Sequence, residues 1–265
     1  MSLFFKKSSR PPKTGNMGRY VFAGQHAFRG GGSSCAGNVY YALEYFLDMP
    51  DEDFFALFSP PAELNDLQIV ESTGALSEMV RRGTQLSLDY AKSISASWFG
   101  YFWRSILPKN PHEMFEEIST RMEGYETIAR LSNKHLCDYR PDFAGTVVKY
   151  IFENHISTLN RTGIACGSAM HGTVLFAKKR ELDQKIFYYL FDSAPSRSME
   201  ENRNCGLLEV HDSVDSLVES MLHRRKYRLM NMTLYTDDYI SLETFTLKDS
   251  AVPAPFRMAK GAQGG

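Results

Sequence analysis

Apolar residues recur at helical spacing in the first half of the chain and crowd into short runs in the second half. After residue 35, apolar side chains fall at positions 36, 39, 40, 43, 46 and 47, which lie on one face of a helix. Two more helices are predicted, from Asn110 through Ile128 and from Arg140 through Leu159. Each has a proline in its first turn, followed by apolar residues three or four positions apart.

From about Gly163 onward, the apolar residues form short runs that are rich in β-branched and aromatic residues. The runs 173–177 and 185–191 are apolar on both faces and flank the charged segment 179–183, which predicts a hairpin in the middle of a sheet. The segments 207–210, 214–222 and 227–235 predict a strand, a helix and a strand. This order indicates an α+β fold, with a helical N-terminal part packed on a C-terminal antiparallel β-sheet.

The length of 265 residues, 43% of them hydrophobic, is enough for one domain with a full core. Residues 1–18 are polar and basic, and residues 250–265 carry little that packs, so we expect both ends to be flexible. One folded domain is therefore predicted over residues 19–249.

The overall charge and the apolar segments exclude several classes of protein. A net charge of −1 supplies no broad cationic field for nucleic acid. The apolar run before the first charges, residues 3–5, is too short for a Sec-type signal, and the aromatic run 98–103 is far too short to span a bilayer. We expect a soluble monomer with no transmembrane segment.

Four cysteines stand at positions 35, 137, 166 and 205. They lack the close spacing of a zinc module and are too sparse for a disulfide framework. Cys166 and His171 are five residues apart, but no further ligand stands near them, so we expect no metal and no cofactor.

Cys35 has the context of a nucleophile. It follows the segment Gly30–Ser34 and begins the first predicted helix, which either Ser33 or Ser34 is expected to cap. The positive end of a helix dipole favours the thiolate, the form of cysteine that attacks carbonyl carbon.

Two further residues complete a predicted triad. His171 stands at the entry of the first hairpin strand and Asp192 at the exit of the second, so an antiparallel pairing brings them to the same end of the sheet. Asp192 would then orient the imidazole of His171, whose other nitrogen takes the proton of Cys35.

Other interpretations remain open at this point. His26 is a rival base, and His211 with Asp212 is a rival pair of imidazole and carboxylate, although neighbouring strand residues point to opposite faces. A lone cysteine is also often only a small buried residue. In that case the chain is a non-enzymatic protein-binding module.

The order of these residues resembles the papain-fold cysteine proteases. Residues 24–195 share with that family the order of four features. These are a cysteine at a helix start, a helical middle, a histidine before one strand and an aspartate after the next. The glycine- and serine-rich approach and the 21-residue spacing from His171 to Asp192 are most similar to the bacterial injected effector proteases of the YopT and AvrPphB type.

The resemblance implies a thiol protease in which Cys35, His171 and Asp192 form a Cys-His-Asp triad acting through an acyl-thioester. Gln25, ten residues before Cys35, is the side-chain candidate for the oxyanion hole, beside the backbone N–H of Cys35. Ala36 stands where papain-like enzymes often carry an aromatic residue.

The resemblance also implies a substrate, a route and a set of related activities. The substrate would be a host protein, such as a small GTPase or a kinase, met by a secreted virulence effector that enters the host cytoplasm by a non-Sec route. Papain-like folds host glutamine deamidases, transglutaminases and acyltransferases that use the same triad, and these are the alternative activities.

Overall fold

The computed structural model describes residues 16–29, 34–58, 69–71, 74–95, 131–157, 159–167, 171–194, 205–223, 226–229, 232–235 and 240–247. The helices are α1 (Cys35–Asp48), α2 (Asp51–Leu57), α3 (Gly74–Ser95), α4 (Pro141–Ile156) and α5 (Val214–His223), and a 3-10 turn (Gln25–Ala27) precedes α1. The strands are β1 (Asn16–Ala23), β2 (Ile69–Glu71), β3 (Leu131–Tyr139), β4 (Arg161–Gly167), β5 (Gly172–Lys179), β6 (Ile186–Asp192), β7 (Cys205–His211), β8 (Lys226–Leu229), β9 (Met232–Tyr235) and β10 (Ile240–Leu247). Within these ranges, no helix combines the length and apolarity needed to cross a membrane.

The main sheet has eight strands in the order β2-β1-β7-β6-β5-β4-β10-β3. Its neighbouring strands are antiparallel except β1 and β2, which run parallel. The strands β4 to β7 are neighbours in both sequence and space, so the β5–β6 hairpin lies in the middle of the sheet.

Helices cover both faces of this sheet. Along β5, Val174 and Phe176 belong to a hydrophobic cluster with α1, α2 and α3, whereas Leu175 and Ala177 belong to a second cluster with α4 and α5. Successive strand residues point to opposite faces, so a strand buried on both sides is apolar throughout. This burial explains why the hairpin runs show no polar alternation.

An aromatic stack holds α1 against the hairpin. Phe46 of α1 stacks on Phe176 of β5 with ring centroids 4.4 Å apart, and Phe176 stacks on Tyr189 of β6 at 4.5 Å. All three rings are fully buried, and the burial of each contributes about 2–3 kcal/mol to folding. The helix that begins at Cys35 is therefore fixed to the two strands that lead to His171 and Asp192.

The far end of α1 is fixed by a buried lysine. The ammonium of Lys178 in β5 donates to the carbonyl oxygen of Met49 at 2.9 Å and pairs with the carboxylate of Asp51 at 3.0 Å. Burial lowers the pKa of Lys178, and Asp51 offsets part of that effect. This charge pair joins β5 to the corner between α1 and α2.

Most of the predicted local elements are confirmed. The helix after residue 35, the helix after Arg140, the central hairpin, the strand at 207–210 and the helix at 214–222 correspond to α1, α4, β5–β6, β7 and α5. The helix predicted at 110–128 and the aromatic run at 98–103 lie outside the described residues.

The α+β class holds, but the division into N-terminal helices and a C-terminal sheet is wrong. Strands β1 and β2 come from the first half of the chain and β3 from its middle, and all three lie in the main sheet, while α4 and α5 cover its second face. In β1, Tyr20 and Phe22 are buried and alternate with half-buried residues, a strand pattern that begins at Asn16, before the predicted domain start at 19.

The single strand predicted at 227–235 is also wrong, because the segment forms two strands. Strands β8 and β9 pair with each other in a separate antiparallel sheet, with Leu229 opposite Met232. Only residues 230 and 231 separate them, which is the length of the shortest hairpin loop.

Candidate active site

The β5–β6 hairpin brings an imidazole and a carboxylate together at one end of the sheet. His171 immediately precedes β5 and Asp192 ends β6, and Nε2 of His171 lies 2.7 Å from Oδ1 of Asp192. The same Oδ1 accepts a second hydrogen bond from the backbone N–H of Ala194 at 2.9 Å. Oδ1 of Asp192 is therefore held by two hydrogen bonds, and the carboxylate in turn fixes the orientation of the His171 ring.

The two members of this pair differ in exposure. The side chain of Asp192 is 3% exposed, whereas that of His171 is 28% exposed. A buried carboxylate with an exposed imidazole in front of it suits an orienting residue behind an acid–base residue. Because Nε2 of His171 faces Asp192, its other ring nitrogen, Nδ1, is left for a partner on the open side.

That partner is Cys35, which is half-buried and hydrogen-bonded to His171. Burial by itself lowers the pKa of His171, but the charge and hydrogen bond of Asp192, together with the hydrogen bond and charge of Cys35, raise it to about 10. The charge of Asp192 therefore favours the protonated imidazole. A positive charge and the N-terminus of α1 both favour the thiolate of Cys35.

The N-terminus of α1 is held by side chains of α3 rather than by its own N-cap residue. Ser34 occupies the N-cap position, but its hydroxyl makes no capping bond and instead meets Oγ1 of Thr84 at 3.2 Å. Ser87 Oγ accepts from the backbone N–H of Gly37 at 3.1 Å and donates to the carbonyl of Ser34 at 3.2 Å. The expected cap by Ser34 is thus wrong, and Ser33 lies outside the described residues.

Two glycines let these helices meet backbone to backbone. A Cβ on Gly37 would lie 2.4 Å from the carbonyl oxygen of Gly83, and a Cβ on Gly83 would lie 2.7 Å from Cα of Asn38. Neither position has room for a methyl group, so the close crossing depends on both glycines.

Gln25 lies between the two parts of the site. It begins the 3-10 turn, is buried, and donates its backbone N–H to the carbonyl of Ser193 at 2.8 Å. Its side-chain oxygen accepts from Ser193 Oγ at 2.8 Å and from Asn38 Nδ2 at 3.4 Å. The candidate oxyanion donor therefore contacts the residue after Asp192 and the helix of Cys35.

The rival bases lie elsewhere. His26 is exposed on the 3-10 turn. His211 ends β7 opposite Tyr188, at the far end of the sheet from Asp192, where it is buried and its Nδ1 meets Ser216 Oγ at 2.8 Å. Asp212 is exposed. Neither candidate replaces His171 in this arrangement.

The settings of Cys166 and Cys205 differ from that of Cys35. Cys166 is buried in the second cluster with its sulfur 3.8 Å from that of Met221, and Cys205 is half-buried at the start of β7. The side chain of Cys137 lies outside the described residues. Among the side chains that the structure describes, no group of three or more potential ligands converges as a metal site.

Sequence reasoning missed the residues around Gln25. Asn38 and Ser193 are both buried against its amide, and Thr84 supports Ser34 from another helix. Asn38 gives a weak signal as a polar residue one turn after Cys35, in the otherwise apolar first half of α1. The positions of Ser193 and Thr84 depend on tertiary packing and give none.

No protein-family model matches the chain, and no curated protein matches its sequence.

Proposed function

We propose that this protein is a cysteine peptidase that cleaves a protein substrate with Cys35 as nucleophile, His171 as acid–base residue and Asp192 as orienting residue. The observation that carries the proposal is the imidazole of His171, bonded through Nε2 to a buried carboxylate at 2.7 Å and in contact with a thiol at a helix N-terminus. This is the arrangement required for nucleophilic catalysis with an activated thiol.

The reaction begins when the thiolate of Cys35 attacks the carbonyl carbon of a peptide bond and forms a C–S bond. The backbone N–H of Cys35 and the amide of Gln25 are the candidate donors to the oxygen that becomes negative. The imidazolium of His171 then gives its proton to the leaving amine as the C–N bond breaks. A thioester remains on Cys35.

The second half of the reaction uses neutral His171. It takes a proton from water, the hydroxide attacks the thioester carbon, and the C–S bond breaks to release the acid. The thiolate and the imidazolium are restored. Through both steps Asp192 keeps the ring oriented, because its Oδ1 is held by Ala194 as well as by His171.

We infer a papain-like relationship from the order of these elements. A cysteine at a helix start, a histidine before one strand and an aspartate after the next support it, as does the position of Gln25 beside both parts of the site. By that resemblance the substrate is a host protein such as a small GTPase or a kinase.

The proposal is tested on a cell extract, because the substrate need not be known. The native chain, Cys35→Ala and Cys205→Ala are each incubated with the extract, and new protein N-termini are identified by mass spectrometry. We expect the same new termini with the native chain and Cys205→Ala, and none with Cys35→Ala.

Two outcomes contradict the peptidase proposal. Equal termini with Cys35→Ala and the native chain would exclude Cys35 as the nucleophile. No new termini, together with a mass gain of about one dalton on glutamine residues of the extract, would instead identify a deamidase acting through the same thioester.

A further inference from the structure

A buried set of three polar side chains connects the two parts of the site. Gln25, Asn38 and Ser193, here called the amide clamp, are 3%, 1% and 1% exposed. Ser193 Oγ donates to Oε1 of Gln25 at 2.8 Å, and Nδ2 of Asn38 reaches the same oxygen at a longer 3.4 Å. Asn38 Nδ2 also donates to Ser34 Oγ at 3.1 Å. The clamp therefore runs from the end of β6 to the start of α1.

The clamp determines which way the Gln25 amide points. Both hydrogen bonds end on Oε1, so the oxygen faces Asn38 and Ser193 and the two N–H groups of Nε2 point away from them. Turning the amide over would set its NH₂ against that of Asn38. Buried donors without acceptors are strongly disfavoured, so turning the Gln25 amide alone is unfavourable.

Asn38 is itself held in place by the helix crossing. A Cβ on Gly83 would lie 2.4 Å from Oδ1 of Asn38, so this oxygen packs directly on the backbone of α3. The side chain therefore has little room to rotate. Its NH₂ group is left pointing toward Gln25 and Ser34.

We propose that Asn38 and Ser193 are positioning residues that aim the amide nitrogen of Gln25 at the oxyanion formed on an acyl group at Cys35. The inference rests on the proposed function, because it assigns the clamp to the same nucleophile. Ser193 follows Asp192 directly and Asn38 lies one turn after Cys35, so the clamp sets the donor relative to both parts of the triad.

Two reagents separate this role from a merely structural one. p-Nitrophenyl acetate acylates Cys35 through a tetrahedral oxyanion, as the thiolate adds to the carbonyl and p-nitrophenolate leaves. Iodoacetamide alkylates the same thiolate by displacing iodide, with no oxyanion. A loss of oxyanion stabilisation therefore slows only the first reaction.

The variants are Ser193→Ala, Asn38→Ala and Gln25→Ala, with Ser216→Ala as the matched control. Ser216 is equally buried, and its hydroxyl makes a hydrogen bond of the same 2.8 Å length, but to His211 at the far end of the sheet. Cys35→Ala supplies the background rate of ester hydrolysis. Circular dichroism checks that each variant is folded.

We expect Gln25→Ala to slow acylation by about 100-fold and the two clamp variants to slow it by about tenfold, with alkylation unchanged in all three. Ser216→Ala should change neither rate. Should Asn38→Ala fail to fold, Ser193→Ala alone decides, since it removes one hydroxyl and keeps the backbone bond from Gln25 to Ser193.

Different results contradict the clamp proposal and the proposed function. Fast alkylation of the native chain at about pH 6, with acylation unaffected in Ser193→Ala, overturns the clamp and leaves the nucleophile standing. Equal slowing of both reactions also overturns it, because that result indicates a structural role. Slow alkylation of the native chain at that pH contradicts the proposed function, and the clamp with it.

Discussion

The sheet carries an imidazole and a carboxylate at each of its two ends, and the two pairs have very different surroundings. At one end His171 meets Asp192 at 2.7 Å, is 28% exposed and contacts the thiol of Cys35. At the other end, Nε2 of His211 lies 3.6 Å from the carboxylate of Glu209, and both side chains are fully buried.

The carboxylates of Asp192 and Glu209 also have different partners. Glu209 pairs with Arg19 at 2.9 Å and accepts a hydrogen bond from Ser220, whereas Asp192 directs its Oδ1 to His171 and to one backbone N–H. The His211–Glu209 pair belongs to a set of buried polar groups within the fold. The comparison teaches that a histidine beside an acid becomes a candidate site only when one ring nitrogen is left open to a nucleophile.

Replacing His171 and His211 in turn should give the largest difference between the two ends of the sheet. We expect His171→Ala to slow alkylation of Cys35 at about pH 6 by about 100-fold, because an ordinary thiol is then almost wholly protonated. His211→Ala should leave the rate unchanged, because His211 lies at the other end of the sheet. Mass spectrometry of labelled peptides measures both rates. Equal rates in the two variants would contradict the assignment.

The charge on Asp192 should appear in the pH dependence of stability. A histidine whose pKa in the folded protein is about 10, against an ordinary value of 6.5, stabilises the fold fully below about pH 6.5 and loses that contribution as the pH rises toward 10. We expect the unfolding free energy of the native chain to fall by about 2–5 kcal/mol more across this window than that of Asp192→Asn.

Urea titrations at several pH values provide the measurement for this second prediction. Asp192→Asn keeps the size of the side chain but removes the negative charge that raises the pKa of His171. Parallel stability curves for the two chains would show that the carboxylate does not hold a charged imidazole.

A third prediction tests the close crossing of α1 and α3 at Gly37 and Gly83, next to Cys35. Gly83→Ala puts a methyl group 2.4 Å from Oδ1 of Asn38 and 2.7 Å from its Cα, so α1 and α3 must separate at a cost of about 1–3 kcal/mol. Gly74→Ala lies in the same helix, and among the described residues beyond its own turn no atom lies within 4 Å of the added Cβ, so it should be neutral or slightly stabilising. Thermal unfolding compares the two variants, and equal melting temperatures would argue against the close crossing.

Local patterns account for the parts of the fold that sequence reasoning predicted. The apolar stripe of α1 and the apolar runs of β5 and β6 reflect burial of neighbouring residues, and the meeting of His171 with Asp192 follows from one hairpin. The pairing of β1 with β7 and of β10 with β3 joins segments far apart in the chain. No local period reports such a partner, so the sheet order was not predictable.

The same limit applies to the candidate site. The approach of Cys35 to His171 depends on packing of Phe46 against Phe176, and the orientation of Gln25 depends on Asn38 and Ser193. These contacts are set by tertiary structure. Sequence alone could name the candidate residues Cys35, His171 and Asp192, whereas their supporting residues emerge only from the folded chain.

The most direct test of the central claim is the rate at which iodoacetamide alkylates Cys35 as a function of pH, with half-buried Cys205 as the reference in the same molecule. A thiolate paired with the imidazolium of His171 predicts labelling of Cys35 about 100-fold faster than of Cys205 at about pH 6, with little change through neutrality. Two superimposed profiles that both rise near about pH 8.5, the ordinary pKa of a thiol, would contradict the account.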